Sequence, residues 1–341
     1  MTAAGVTGVD FTHLVAMSDG RGTFEHALYT SPRREHGYCT DDMARVLLVT
    51  VREPNPSPAV ARLAEVALRF LHDARSADGR YRNRMDASGR WLDTPTLEDC
   101  WGRAIWGLGN AAAHGRTEWL RRSASAQLAA AARQHSPMLR PTAFAALGAA
   151  EVLAVDPHHT TARLLLCDAA DRLPAARRSR VWPWPEDRLT YANALLPEAM
   201  IAAGSILDRP TLLRRGLSLL GWLLERQTTA GHLSVTPVGG SGRDDVGPAF
   251  DQQPIEVAAM ADACRRAAAV DDDRRWDEGV AAAVGWFEGR NDGGHVMVDL
   301  TTGGGYDGLT PHGPNRNQGA ESTLALLSTM QHARRDVVAP W

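Results

Sequence analysis

Carboxylates recur beside amides, arginines and aromatic residues at five points of this 341-residue chain. The stretch "HGYCTDDMARVLL" holds His36, Tyr38 and the adjacent pair Asp41 and Asp42, set where an apolar helix begins. "TLEDCWGRAIWGLG" carries Glu98, Asp99, Trp101 and Arg103, and "VWPWPEDRLTYANALLPEA" carries Trp182, Trp184, Glu186, Tyr191 and Asn193. "FDQQPIEVAAM" supplies Gln252, Gln253 and Glu256, and "NRNQGAESTLALL" supplies Asn317, Gln318 and Glu321. Two carboxyls with opposed protonation states can protonate a leaving group and activate or replace a water molecule.

A plainer role competes for each acid. Carboxylates in the first turn of a helix meet free N–H groups and the positive dipole end. Thr40 and Asn317 are the expected N-caps of the first and last of these helices. Capping explains an acid but not its company. Trp, Tyr, Asn, Gln and Arg stand beside the acids at the same end of five helices, and caps need no aromatic neighbours. Acids, amides and guanidinium groups bond hydroxyls, while aromatic faces stack on sugar rings. Together they form the expected lining of a carbohydrate cleft.

Positioning these groups requires helices. Helical periodicity covers 41–52, 58–74, 98–113, 117–134, 141–155, 158–173, 190–204, 210–227, 253–268, 272–289 and 318–333, with a short helix near 9–17, and strand-like alternation is nearly absent. A weak repeat runs beneath this pattern. "FLHDARSADGRYRNRMD", "WLLERQTTAGHLSVTP" and "WFEGRNDGGHVMVDL" each end a helix on a glycine turn followed by a long polar tail. Short turns alternate with these long tails, as in stacked αα-hairpins. Five hairpins start at residues 41, 98, 141, 190 and 253, and the last helix pairs with the N-terminal one as a sixth. The expectation is an all-α, (α/α)6 toroid occupying 1–341 as one domain with short tails. The long loops and the acid-bearing ends of the inner helices then share one face. The third inner helix, "SPMLRPTAFAALGAA", is expected to carry little chemistry.

Composition removes several function classes. The net charge of −3 and the lack of a basic stripe argue against a nucleic-acid partner, and no apolar run is long enough to span a membrane. Cys39, Cys100, Cys167 and Cys264 are scattered without a CxxC pair, as reduced cytoplasmic thiols would be. All 37 Lys+Arg residues are arginine, which excludes Schiff-base chemistry, a pyridoxal-phosphate lysine and a Walker A loop. No cofactor is expected. Asp41–Asp42, Glu98–Asp99 and Asp244–Asp245 could offer oxygens to calcium but lack EF-hand spacing, so no metal is expected. No DxDD run marks a terpenoid cyclase.

Taken together, "HGYCTDDMARVLL", "EDCWGRAIWGLG", "PWPEDRLTYANALLPEA", "FDQQPIEVAAMADAC" and "NRNQGAESTLALL" resemble a bacterial group within the six-hairpin, (α/α)6 glycosidase-like superfamily. The resemblance spans roughly residues 8–333. It implies the toroid, a carbohydrate substrate and an association with a glycosyltransferase, to which members are often fused or beside which they are encoded. Met43 stands where the group is expected to have asparagine. The leading expectation is glycoside hydrolysis, with Asp42 held anionic by the helix dipole as base or nucleophile, and Glu256, then Asp99, as acid. The alternatives are a sugar epimerase or isomerase using loop histidines (His36, His232, His295, His312) and a glycan-binding module without catalysis.

Overall fold

The computed structural model describes residues 9–174, 179 and 181–334. Among these residues, twelve α-helices alternate between two concentric layers. The inner layer consists of α2 (Thr40–Arg52), α4 (Asp99–His114), α6 (Leu139–Val155), α8 (Leu195–Ile206), α10 (Pro254–Ala268) and α12 (Ala320–Ala333). The outer layer consists of α1 (Thr12–Ala16), α3 (Pro58–Ala74), α5 (Glu118–Ala131), α7 (Thr160–Arg172), α9 (Pro210–Arg226) and α11 (Arg275–Phe287). Each inner helix packs on the next, and α12 returns to α2, closing the ring. α1 packs against α12 as the sixth hairpin. The fold is the expected (α/α)6 toroid.

The two layers follow from their residues. α3 buries one stripe, including Val60, Leu63, Ala64, Ala67, Leu68 and Leu71, and leaves the other face to water. α6 and α8 are apolar around nearly their whole circumference, as helices enclosed by a ring of others must be. α4 and α6 approach so closely that a side chain at Gly109 or Gly148 would strike the opposite backbone. Three outer helices, α3, α5 and α7, begin with local side-chain caps. Ser57 accepts from the Val60 N–H at 3.3 Å, and Thr117 accepts from the Leu120 N–H at 3.1 Å.

Inner helices do not use the expected caps. Thr40 is already helical, and its hydroxyl donates to the Arg82 carbonyl at 2.7 Å. Gly319 is the N-cap of α12, while Asn317 accepts from the Tyr29 N–H at 2.9 Å. In both cases the side chain ties neighbouring loops together. The segment expected to open α8 at 190 is instead a turn, and the helix starts at Leu195. The long connections carry only two- and three-residue β pairs, such as Tyr38–Cys39 with Arg84–Met85. Among the described residues, no helix is long and apolar enough to cross a membrane.

Candidate active site

The N-terminal ends of the inner helices meet beneath the long loops. Their charged side chains form a nearly continuous circuit. Glu321 on α12 accepts from Arg45 of α2 at 2.8 Å, and the other nitrogen of that guanidinium bonds Asp42 at 2.5 Å. Next on α2, Asp41 accepts from the Asn83 side chain at 2.9 Å and lies 3.6 Å from Arg103 of α4. Arg103 lies 3.8 Å from Asp99, one turn back on α4, and its guanidinium sits over the Phe144 ring at 4.3 Å. Asp99 also accepts the Tyr191 hydroxyl at 3.1 Å. Arg140 of α6 sits 4.7 Å over the Tyr191 ring, donates to the Tyr191 carbonyl at 2.6 Å and holds Glu186 by two bonds of 2.9 Å.

Glu256 closes the circuit from α10. Its carboxylate accepts from the Ala192 N–H, from the Asn193 N–H at 3.3 Å and from the Asn193 side chain at 2.8 Å. These bonds clamp the turn before α8, where Ala192 adopts a left-handed φ of 45°. Glu256 is buried and its acceptor capacity is directed at that turn. It therefore positions Tyr191 instead of facing a substrate, and this changes the role expected for it.

The protonation pattern separates these acids. Burial pushes the Asp42 carboxyl up to about 7 against the pull of Arg45, with Glu321, Glu25 and Asp41 adding to the rise. Burial thus works against the helix dipole expected to hold Asp42 anionic, while Arg45 works with it. The Asp42 side chain is also 3% exposed and turned onto Arg45, so it sits behind the cleft wall. Burial likewise pushes Glu256 up to about 7, although the surrounding N–H groups favour its charge. Asp99 is raised by burial against Arg103. Glu321 differs from all three. Burial acts upward on it, but Arg45 and Arg103 outweigh that and hold it below its ordinary value. Its side chain remains 43% exposed.

Several expected ligand contacts belong to the core. Trp182 and Trp184 are buried against Trp222 of α9, with ring centroids at 5.4 and 6.2 Å, and Trp182 donates to the Glu186 carbonyl at 2.9 Å. The proline-stiffened loop is anchored through these rings, which leaves them no face for a sugar. Trp101 is buried and donates to the Ala131 carbonyl at 3.2 Å. Tyr38 is buried, stacks on Phe24 and donates its hydroxyl to Asp19 at 2.8 Å. Gln252 is buried between Asp292 (2.5 Å) and Trp286 (3.2 Å), and Gln318 between Asp299 and Thr302 at 2.9 and 2.8 Å. Their amides brace loops. Glu98 and Gln253 are the N-caps of α4 and α10 without side-chain capping bonds, and Glu98 faces solvent.

Of the four loop histidines, His232 is held by Asp292 at 2.9 Å, while His295 and His312 are exposed. His36 stands at the rim and meets His26 edge-to-face at 4.9 Å. His26 was not singled out by sequence, yet it acts electrostatically on Glu321. Arg45, Arg140 and Asn83 were also missed. Arg45 and Arg103 follow Asp42 and Asp99 by three and four residues, the spacing of side chains sharing one helix face. That spacing could have identified Arg45. Arg140 corrects the view that the third inner helix lacks chemistry.

Glu25, Cys39 and Asp42 place one ligand atom each within 4.8 Å of one another. Arg84 already pairs with Glu25, and Arg45 with Asp42. A cation there would have to displace a guanidinium, so this cluster does not fit a resident metal.

Comparison with solved structures bears out the fold. A sugar epimerase from a ruminal bacterium superposes with a TM-score of 0.71 at 12% identity, covering 98% of this chain and 97% of that one. Cellobiose 2-epimerase from Spirochaeta thermophila gives 0.67 at 14% identity over 96% and 94% of the two chains. A metagenome-derived glycoside hydrolase family 9 endoglucanase gives 0.61 at 13% identity over 91% and 70%. No family profile and no curated protein matches the sequence. The chain therefore shares the (α/α)6 toroid with these structures.

Proposed function

We propose that the protein is a carbohydrate-active enzyme that hydrolyses a glycosidic bond at the loop-face end of the toroid. The observation that carries this reading is the contrast between Glu321 and Asp99. Glu321 is open to the cleft and depressed below its ordinary value by two arginines, while Asp99 is raised by burial. An ionised carboxylate and a carboxyl biased toward its protonated form are the two groups that glycoside hydrolysis requires. Glu321 is the base or nucleophile and Asp99 the acid. Tyr191 bonds Asp99 and turns its hydroxyl toward it, and Arg45 fixes Glu321 with Asp42 behind it. Asp41, Arg103, Arg140 and Glu186 supply partners for sugar hydroxyls.

The His26–His36 pair favours a second reading, sugar epimerisation, because it sets two exposed imidazoles together, one of which, His26, acts on Glu321. Epimerases and an endoglucanase share the fold, so the fold does not choose between these reactions. Incubating the protein with an oligosaccharide panel in D2O and following products by NMR decides between them. Hydrolysis gives shorter chains and new reducing ends without carbon-bound deuterium. Unchanged chain length with deuterium at a ring carbon would replace the carboxylate reading by the histidine one.

A further inference from the structure

A second cavity opens at the opposite end of the toroid, where the inner helices finish. Its volume is about 290 Å³, enough for a small organic molecule, and it is separate from the carboxylate circuit beneath the long loops. Apolar side chains of α6, α8 and the turn after α10, among them Leu153, Ile201, Ile206 and Val270, form its wall. Its floor is ionic. Arg266 bonds Glu151 at 2.6 Å and Glu198 at 3.0 Å, while Arg52 bonds Asp262 at 2.9 Å. Taking these charges out of water is costly, and an apolar plug would close the toroid without that cost. A buried ionic floor beneath an open cavity therefore calls for an explanation beyond closure.

The balance of charge indicates what the cavity would receive. Within the floor, two guanidinium groups meet three carboxyls, and His332 adds a bond to Asp262. Burial pushes Glu198 up to about 7, against the pull of Arg266, so this site carries less negative charge than its acid count suggests. Two further arginines, Arg163 and Arg265, line the cavity, and neither has a carboxylate partner among the described residues. The helix C-termini at this end contribute only about half an elementary charge each, largely met by solvent. Among these residues the Arg163 guanidinium donates only to the Pro157 carbonyl at 3.0 Å, and two guanidinium groups without carboxylate partners at one mouth bind a phosphoryl group well, because their donor geometry matches its oxygens. Arg266 engages only one oxygen of Glu198, a residue that lines the cavity, and leaves the other without a protein donor among the described residues. That oxygen suits a hydroxyl.

We propose that this cavity binds a small phosphorylated sugar or polyol, its phosphoryl group held by Arg163 and Arg265 and a hydroxyl received by Glu198. The site is independent of the reaction at the loop-face end. Thermal melts at low ionic strength with glucose 1-phosphate, inorganic phosphate or glucose as probes test it, using the wild type and the Arg163→Gln/Arg265→Gln double variant. Both arginines lie at the surface outside the ion-pair floor, so the unliganded variant should melt close to the wild type. Glucose 1-phosphate at saturating concentration should raise the wild-type melting temperature by about 2–4 °C, exceed inorganic phosphate, and lose its effect in the double variant. No shift, or an equal shift in the double variant, would overturn the site. An equal response to inorganic phosphate would overturn the sugar body. Because the readout is thermal and the substitutions lie far from Glu321 and Asp99, failure here leaves the hydrolase reading untouched.

Discussion

The two ends of the inner-helix ring are both rich in charge, but they use it differently. At the short-turn end, Glu151 shares hydrogen bonds with Arg266 and His114, and Asp262 shares them with Arg52, Ser328 and His332. At the loop end, Asp41 and Arg103 stand 3.6 Å apart, too far for a hydrogen bond, and the facing Oδ1 and Nε atoms are buried without one. Between the ends runs an apolar neck lined by Leu48, Val49, Trp106, Phe144, Ile255 and Leu324, with a space of about 40 Å³. Glu151 and Asp42, the acids at the centre of these two arrangements, diverge accordingly. Burial acts upward on Glu151, yet Arg266 and His114 hold it at about 2, whereas Asp42 rises to about 7 despite Arg45. Saturated pairing around Glu151 and Asp262 locks the inner helices at one end, beneath the arginine-lined mouth of its cavity. Incomplete pairing of Asp41 and Arg103 leaves the circuit itself open to a ligand at the other.

Breaking the lock should have the largest effect. Arg266→Met removes one cation from two buried carboxylates and should cost about 3–5 kcal/mol in chemical denaturation. A loss below about 1 kcal/mol would show that the short-turn end does not stabilise the ring.

Removing the clamp on the Tyr191 turn should cost less. Glu256→Gln retains the size of the side chain but weakens three N–H contacts, and should destabilise by about 1–3 kcal/mol. Carbohydrate affinity should fall with it, because Tyr191 loses its fixed approach to Asp99. Unchanged affinity in a folded variant would detach Glu256 from the site.

Asp42 and Glu151, one acid from each end, should also titrate in opposite senses. Asp42 has a higher value folded than its ordinary 3.8, so the folded protein binds more protons between about 4 and 7, and its contribution to stability falls as pH rises through that window. Glu151 lies below its ordinary 4.5, so its contribution is present above that value and is lost as pH falls toward about 2. Melting curves across pH should therefore show Asp42→Asn flattening the upper slope and Glu151→Gln flattening the lower one. The reverse assignment would invert the comparison. The smallest change is expected at the margin of the site. Glu98→Gln, exposed and without a capping bond, should stay within about 0.5 kcal/mol of the wild type by thermal melt.

The toroid was legible in the sequence because helix periodicity, glycine stops and alternating loop lengths are local signals. The loop-face end was legible for the same reason. Asp42, Asp99, Tyr191, Asn193, Glu256 and Glu321 do converge there, brought together by inner helices that begin on one face. Roles were less legible, because they depend on burial and partners distant in sequence. Trp182 and Trp184 have the residue type of a sugar platform but turn inward onto Trp222 of α9. Gln252 and Gln318 have the type of a hydroxyl ligand but face loop acids. Glu256 appeared a free acid until the turn before α8 was seen to fold onto it. Arg140 was missed because a lone arginine beside a proline carries no pattern of its own.

The central claim is that catalysis depends on Glu321 as the ionised carboxylate of the loop-face end. The direct measurement is the initial rate of glycoside cleavage by Glu321→Gln, on a substrate taken from the oligosaccharide panel, with a melting curve on the same preparation. Glutamine keeps a hydrogen bond to Arg45 but cannot serve as base or nucleophile, so turnover should fall at least ~10²-fold with the fold intact. Turnover near the wild-type rate in a folded variant would contradict the account.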